Sequence, residues 1–477
     1  MILKITIVVL YAIMIIVVGI IGLRKTKSFS DYFLGGGNVG PWMTAFTYGT
    51  AYFSAVLFIG FAGSIGWNFG YSGLWVGFIN AFVGVLAVWA LMGWRIKKMS
   101  SEYGVSTISE FLEKRYQSPV LKLLSAFVIF IFMIPYSAAV FMGLSYLFTS
   151  NFGIAYEYAL LFMGLFTALY LVLGGYKSMT RIDMIFGLIM IVGVIILLTS
   201  TINTGGGLKN ITSSLDNIHP KLTKTVGPPG WWPLFSLVFL TSVAPFAMPQ
   251  LIQKFYAIRD QRSVKIGMIA STAFAILIGG VAYFVGSTTR VFLTPENNPD
   301  AFSNGKPIFD RLMPELLTNV IPQGLSVVIL LLILSASMST LAALVLISSS
   351  SFAKDFYAGF INKNISDKSL TRLMRIMSAF FVLLSVVLAY MNFDSIVAIL
   401  GISWGAIGSF FLGPFVWGLF SKRSNLTGAL VSGIGGLVTC LILYFSGMPS
   451  PEAGTIGMIT SVVLNPVVSF ISSGAGK

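Results

Sequence analysis

Thirteen apolar runs, each long enough to cross a bilayer, leave this chain few folds. They fall at roughly 2–23, 41–66, 71–94, 119–149, 155–174, 182–203, 231–253, 266–289, 324–352, 370–391, 394–420, 426–446 and 454–474. In hydrocarbon every backbone N–H and C=O must be paired inside the protein, so such runs become helices. Composition agrees: 56% of residues are hydrophobic and 10% charged, against about a quarter charged in a soluble domain. The sequence therefore predicts an all-α polytopic membrane protein of about 13 transmembrane helices, a single domain over residues 1–477. No cleavable signal peptide is expected. Residues 2–23 stay apolar for too long, and no small-residue cleavage site precedes Arg24, Lys25 and Lys27.

A net charge of +14 invites a nucleic-acid reading, but the distribution of the charge rejects it. With the N-terminus outside, 23 basic residues fall in or beside inner loops and seven outside, of 30 in all. The seven are Lys4, Lys209, Lys221, Lys224, Arg290, Lys306 and Arg311. Basic residues stay on the cytoplasmic side, so the expected arrangement is N-out and C-in, in the inner membrane of a prokaryote. The bilayer itself explains the charge. The one cysteine, Cys440, excludes an internal disulfide framework. The outer loops 204–230 and 290–323 are expected to carry short helices. The inner stretch 100–119 reads as an amphipathic helix capped by Thr107 or Ser109.

Two runs are poor continuous helices. Residues 41–66 contain Gly49-Thr50-Ala51-Tyr52-Phe53-Ser54, then Gly60, Gly63 and Gly66. Two readings are open. The glycines let helices approach closely, or the helix is broken and its free carbonyls line a cavity. The run 231–253 contains Pro245 and Pro249, and proline removes a donor and clashes with the preceding turn. Two interrupted spans, five spans apart, mark an inverted-repeat transporter with halves 41–203 and 231–420. That leaves 2–23 before the core and two helices, 426–474, after it.

The run 324–352 carries Ser339 and Thr340 at mid-depth, one turn after Ala336. On a helix the Ala336 carbonyl and these hydroxyls can converge. Carbonyls of Thr50 and Phe53, freed at the break, would complete five neutral oxygens for a monovalent cation. No carboxylate is expected at that depth, which argues against Ca²⁺ and Mg²⁺. The other reading is that both hydroxyls bond back to their own helix or a neighbour.

With these residues in view, the chain resembles the sodium:solute symporter family over nearly its whole length. Ser335-Ala-Ser-Met-Ser-Thr-Leu341 and Ser348-Ser-Ser-Ser-Phe-Ala-Lys-Asp-Phe-Tyr357 resemble the family's sodium-binding helix and its cytoplasmic end. Gly174-Gly-Tyr-Lys-Ser-Met-Thr-Arg-Ile-Asp183 resembles its glycine-glycine…aspartate signature. Phe58-Ile-Gly-Phe-Ala-Gly63 and Met248-Pro-Gln-Leu-Ile-Gln-Lys-Phe-Tyr-Ala-Ile258 resemble further blocks. The resemblance implies the 5+5 core of the neurotransmitter:sodium symporter fold, with its first and sixth core helices broken. It implies Na⁺ at the Thr50, Phe53 and Ala336 carbonyls and the Ser339 and Thr340 hydroxyls. Some family members hold a second sodium with hydroxyls one turn further on, where this chain has Ala342 and Ala343. One sodium per solute is therefore expected. Asp183 then serves sodium release or an inner gate, or is an interfacial residue paired with Arg181 or Lys177.

The solute pocket is expected between the broken helices and the spans 119–149 and 394–420. Its candidate lining is Tyr52, Ser54, Val56, Leu57, Tyr136, Ser137, Phe246, Ala247, Gln250, Ser403 and Trp404. Proline transporters of the family carry Asp at Tyr52, and Trp and Tyr at Thr241 and Pro245. Its sugar transporters carry polar groups near Val56 and Leu57. These departures favour a small organic acid, a monocarboxylate or a pantothenate-like vitamin, over an amino acid or a sugar. The expected partners are that solute, a sodium ion and lipid, with no nucleic acid. The oligomeric state is open and a monomer is compatible. No polar rings suggest a channel pore, and the one histidine, His219, sits in an outer loop away from any catalytic cluster. A sensor built on a transporter fold is the remaining rival.

Overall fold

The computed structural model describes residues 2–25 and 28–474, with the side chains of 22–25, 170–174, 177, 178 and 474 left aside. Lys27 and Lys477, and the side chains of Arg24, Lys25 and Lys177, lie outside what is described. Eleven of the described helices are long and apolar enough to cross a membrane, against thirteen runs in the sequence. Run 41–66 is cut by its break, and its second half meets the next run within Val56–Tyr103, across the non-helical Gly70 (φ 57°, ψ −135°). Run 155–174 lies in the first part of Tyr156–Thr204, where two helices meet at the non-helical Gly175 (φ 63°, ψ 178°). A Cβ at Gly175 would stand 2.6 Å from the Tyr32 ring, so both backbone and packing demand glycine there.

In chain order the main helices are α1 (Ile2–Lys25), α2 (Pro41–Tyr52), α3 (Ala62–Phe69), α4 (Ile108–Tyr116), α5 (Pro119–Phe152), α6 (Tyr156–Thr204) and α7 (Leu208–Ile218). They continue as α8 (Trp231–Val243), α9 (Pro249–Ala257), α10 (Gln261–Ser287), α11 (Phe309–Val320) and α12 (Ser326–Ser350). The last are α13 (Asp367–Met391), α14 (Ile396–Phe411), α15 (Leu426–Phe445) and α16 (Ser450–Gly474). Among the described residues the strand content is one hairpin, Phe302–Ser303 with Lys306–Pro307, turned by Asn304 and Gly305, both at positive φ.

The centre of the molecule is α12. From Leu332 to Ser350 every residue is buried, as expected of a helix with no polar face. It packs against α2, α5, α6 and α13, and α2 with α3 packs on its other side against α10. Helices α15 and α16 lie together against α14.

The first broken helix stops at Tyr52, and Phe53 is extended (φ −107°, ψ 132°). A wide turn, Val56–Phe61, then leads into α3. The second stops at Val243, makes a tight turn through Phe246, and resumes at Pro249 after an extended Met248. Proline at the first helical position costs nothing, because its missing N–H would be unpaired anyway. Both readings of run 41–66 hold, each for different residues. The break is Phe53-Ser54, while the glycines serve packing. A Cβ on Gly49 would meet the Phe274 ring at 2.7 Å, and one on Gly66 would meet the Gly286 backbone at 2.0 Å.

In the loop helices, Thr107 is the cap of α4, accepting from the Glu110 amide at 3.1 Å, while Ser109 is buried without a partner. Asp310, in α11, binds the start of α14. Its Oδ2 accepts from the Ile396 amide at 3.0 Å. Burial pushes the Asp310 pKa up to about 7; the Ile396 N–H opposes this and Asp394 adds to it. The folded chain thus holds this proton more tightly than the unfolded chain. Stability should fall as pH rises from about 4 to about 7, by roughly 1 kcal/mol per unit, and level off above. Asp310→Asn is expected to flatten that slope in thermal melts of the detergent-solubilised protein. An unchanged slope would show that another group sets it.

Candidate functional site

The break at Phe53-Ser54 frees carbonyls at the depth where α12 presents its hydroxyls. Three carbonyl oxygens crowd the Thr340 hydroxyl: Ala336 at 3.0 Å, Ala51 at 3.2 Å and Phe53 at 3.3 Å. Beside it, Ser339 Oγ donates to Thr50 Oγ1 at 2.9 Å, and Thr50 donates to the Phe46 carbonyl at 2.8 Å. Thr50, Ala336, Ser339 and Thr340 are all fully buried. A hydroxyl has one proton to give, so one donor faces three acceptors. The bond to Ala336, four residues earlier on α12, is the back-bond to its own helix that the second reading expects, while the Ala51 and Phe53 carbonyls across the gap are what a small cation would add to it. All five expected ligand residues meet here. Two groups join those expected: the Thr50 hydroxyl, which accepts from Ser339, and the Ala51 carbonyl, which sequence reasoning missed. A helix of unknown end point gives no way to choose which carbonyl is free.

The expectation of no carboxylate at this depth was wrong. Asp183, on α6, is fully buried and faces the hydroxyls of Ser339, Thr47 and Thr50 and the ammonium of Lys254. Arg181, one of its two expected partners, is exposed. Asp183 lies eight residues after the non-helical Gly175, and no linear reading of run 182–203 foretells its burial.

On the other side of the break lies a cavity of about 50 Å³. Tyr52, Ser54, Val56, Leu57, Tyr136 and Trp404 line it as expected, joined by Phe53, Phe61, Asn80, Thr241, Tyr283 and Leu400. Asn80 donates to the Tyr52 hydroxyl at 2.6 Å and to the Thr241 carbonyl at 2.5 Å, and Tyr52 donates to the same carbonyl at 3.1 Å. This link ties the first broken helix to the second. The Trp404 ring stands edge-on to Tyr52 and Tyr136, with centroids 6.2 and 5.8 Å away, and its Nε1 has no partner. Asn80 had a legible signal, a lone amide inside an apolar run.

Ser137, Phe246, Ala247, Gln250 and Ser403 do not line this cavity. Ser137 is one residue past Tyr136, which turns it about 100° around the helix. Ser403 donates to the Phe132 carbonyl at 2.5 Å. Phe246, Ala247 and Gln250 belong to the second break itself, and the cavity meets that helix earlier, at Thr241.

Away from the cavity, the entry to the first broken helix is tied to the exit of the second. Val39 N–H donates to the Ala257 carbonyl at 3.0 Å, Arg259 N–H to the Val39 carbonyl at 3.2 Å, and Gln253 Nε2 to the Phe33 carbonyl at 2.9 Å. Nearby, Lys354 bridges α4 and the end of α12 through Glu110 at 2.8 Å and Ser106. Burial acts to raise the Glu110 pKa, but Lys354 and the Ser106 amide hold it below the usual range.

A family profile settles what kind of chain carries these features. The profile of the sodium:solute symporter family matches residues 32–436. The chain belongs to the sodium:solute symporter family. The osmoregulated proline transporter OpuE of Bacillus subtilis (strain 168) is 27% identical, over 98% of this chain and 94% of its own length. The sodium/pantothenate symporter of Escherichia coli (strain K12) is 29% identical, over 88% and 86%. A solved structure of a Na⁺-coupled sialic acid symporter, substrate-bound and outward-open, superposes with a TM-score of 0.83. It covers 98% of this chain and 97% of that one at 18% identity, a likeness of fold. A sodium:solute symporter moves solute rather than converting it. Among the described residues no cluster of His, Cys, Asp and Glu could hold a catalytic metal. As a multi-span symporter the chain works in a membrane.

Proposed function

We propose that this symporter imports a small organic acid with one sodium ion, by alternating access. A monocarboxylate or a pantothenate-like acid is the proposed solute. One observation carries the reading: residues 51–54 serve two sites at once. The Ala51 and Phe53 carbonyls accept from Thr340, while the side chains of Tyr52, Phe53 and Ser54 wall the cavity. A sodium held by the Ala51, Phe53 and Ala336 carbonyls and the Thr50, Ser339 and Thr340 hydroxyls would join α2 to α12. It would also fix the cavity wall. Each ligand then tightens the other, a reciprocal coupling free energy. One charge moved into a negative interior contributes about 2.3 kcal/mol per 100 mV.

On this reading the ties at Val39, Gln253 and Lys354 form the cytoplasmic gate, and Asp183 stands on the path of sodium release. The cavity lining includes no Asp, Glu, Lys or Arg. A carboxylate would find its counter-charge in the sodium across residue 53, and a donor in Trp404 Nε1. A substrate ammonium would find no anion. By the same measure of volume one water takes about 10–15 Å³, so the closed cavity suits a compact solute, and a larger one needs the lining to part.

A thermal-shift screen of carboxylates, amino acids and sugars, with and without sodium, tests the solute class. Stabilisation by a carboxylate only when sodium is present is the expected result. Sodium-dependent stabilisation by proline alone would replace the acid with an amino acid. Solute counterflow in proteoliposomes separates a transporter from a sensor. The expected charge moved per solute, beyond the solute's own, is one. A measured value of two by current-to-flux ratio would overturn the single-sodium reading.

A further inference from the structure

Lys254 and Asp183 are both fully buried, and neither carries a hydrogen bond of ordinary geometry. Burying one charge in a protein interior is costly, and buried charges are paired or hold ions. The Lys254 ammonium donates no hydrogen bond, and neither Asp183 oxygen accepts one of ordinary geometry. The ammonium instead lies 4.8 Å from the centroid of the Tyr176 ring, within electrostatic reach of Asp183. Tyr11 and Tyr176 also face that carboxylate.

The carboxylate touches the sodium site through two shared groups, Ser339 and Thr50. A bare anion there would draw a second cation through the same opening. The next residues along α12, Ala342 and Ala343, are buried and bring no side-chain oxygen. The cation already present at that anion is Lys254, carried by the second broken helix. We propose that the Lys254 ammonium is a tethered counter-ion for Asp183, occupying in charge the place a second alkali ion would otherwise take, and so limiting the chain to one sodium. It rests on the symport reading above. Lys254 acts here as a positioning residue, through Asp183.

The test is equilibrium binding of radioactive sodium to the full-length purified chain, which needs no solute. Wild type is expected to saturate at one sodium per chain. Lys254→Met leaves Asp183 without its cation and is expected to saturate at two. Asp183→Asn leaves the ammonium unmet and is expected to weaken sodium binding by about tenfold or more through repulsion. The double variant, neutral at both positions, is expected to return to one site near wild-type affinity. Two sodium ions in wild type overturn the proposal, as does a folded Lys254→Met that binds one sodium with unchanged affinity. If Lys254→Met does not fold while the double variant does, the cost lies in the bare carboxylate and the proposal stands. If neither folds, Lys254 is a packing residue and the proposal is overturned. No sodium bound by wild type would instead remove the symport reading itself, and this inference with it.

Discussion

Thr340→Ala and Ser339→Ala are each expected to abolish the sodium-dependent part of uptake. Thr340 is the hinge of the cluster, because its hydroxyl touches carbonyls from both the broken helix and its own. Ser339 holds Thr50 in place through the 2.9 Å hydrogen bond. Losing one polar contact to a charged group costs about 1.5–3 kcal/mol, which is roughly a 10- to 150-fold loss of sodium affinity. The empty space left by the side chain cannot be repaired from water, since the site is fully buried. Thr340→Ser keeps the hydroxyl and should retain most of the affinity. The measurement is the sodium dependence of uptake into proteoliposomes, alongside the sodium-induced shift in melting temperature. Normal sodium affinity in both alanine variants would falsify the proposed site.

The second large effect concerns packing. A methyl on Gly66 would stand 2.0 Å from the backbone of Gly286, and one on Gly286 would stand 2.0 Å from the Ala62 carbonyl oxygen. Backbone cannot rotate away as a side chain can, so α3 and α10 would have to separate. Overpacking of this kind costs about 1–3 kcal/mol or more. Gly66→Ala is expected to lower the melting temperature by several degrees and to remove uptake, because α3 continues directly from the cavity wall. Gly280 is the control. It lies on the same α10, and a Cβ there would meet nothing within 4 Å. Gly280→Ala should be neutral or stabilising by about 0.5–1 kcal/mol. Equal melting temperatures for the two variants would mean that α3 and α10 do not meet at Gly66.

The sequence made much of this legible because hydrocarbon is a strict solvent. It offers a backbone no partner, so every long apolar run had to be a helix. For the same reason, an interrupted run pointed either to a cavity or to close packing. Proline at 245 and 249 and the hydroxyl pair at 339–340 were therefore readable one residue at a time. The glycines of run 41–66 were less so. Glycine permits both a break and a close approach, and the choice depends on what stands opposite, here Phe274 and Gly286.

By itself, then, the chain determined its helical class, its two interrupted spans and the oxygen-rich turn of α12. The rest belonged to the tertiary structure. Only the assembled helices set the Ala51 carbonyl beside the Thr340 hydroxyl. Only they brought Asn80 to Tyr52, turned Ser137 and Gln250 away from the cavity, and set Lys254 before Asp183. Local spacing governs what a residue can present along its own helix. What it meets across the bundle depends on contacts between segments far apart in sequence, such as the approach of Lys254 to Asp183.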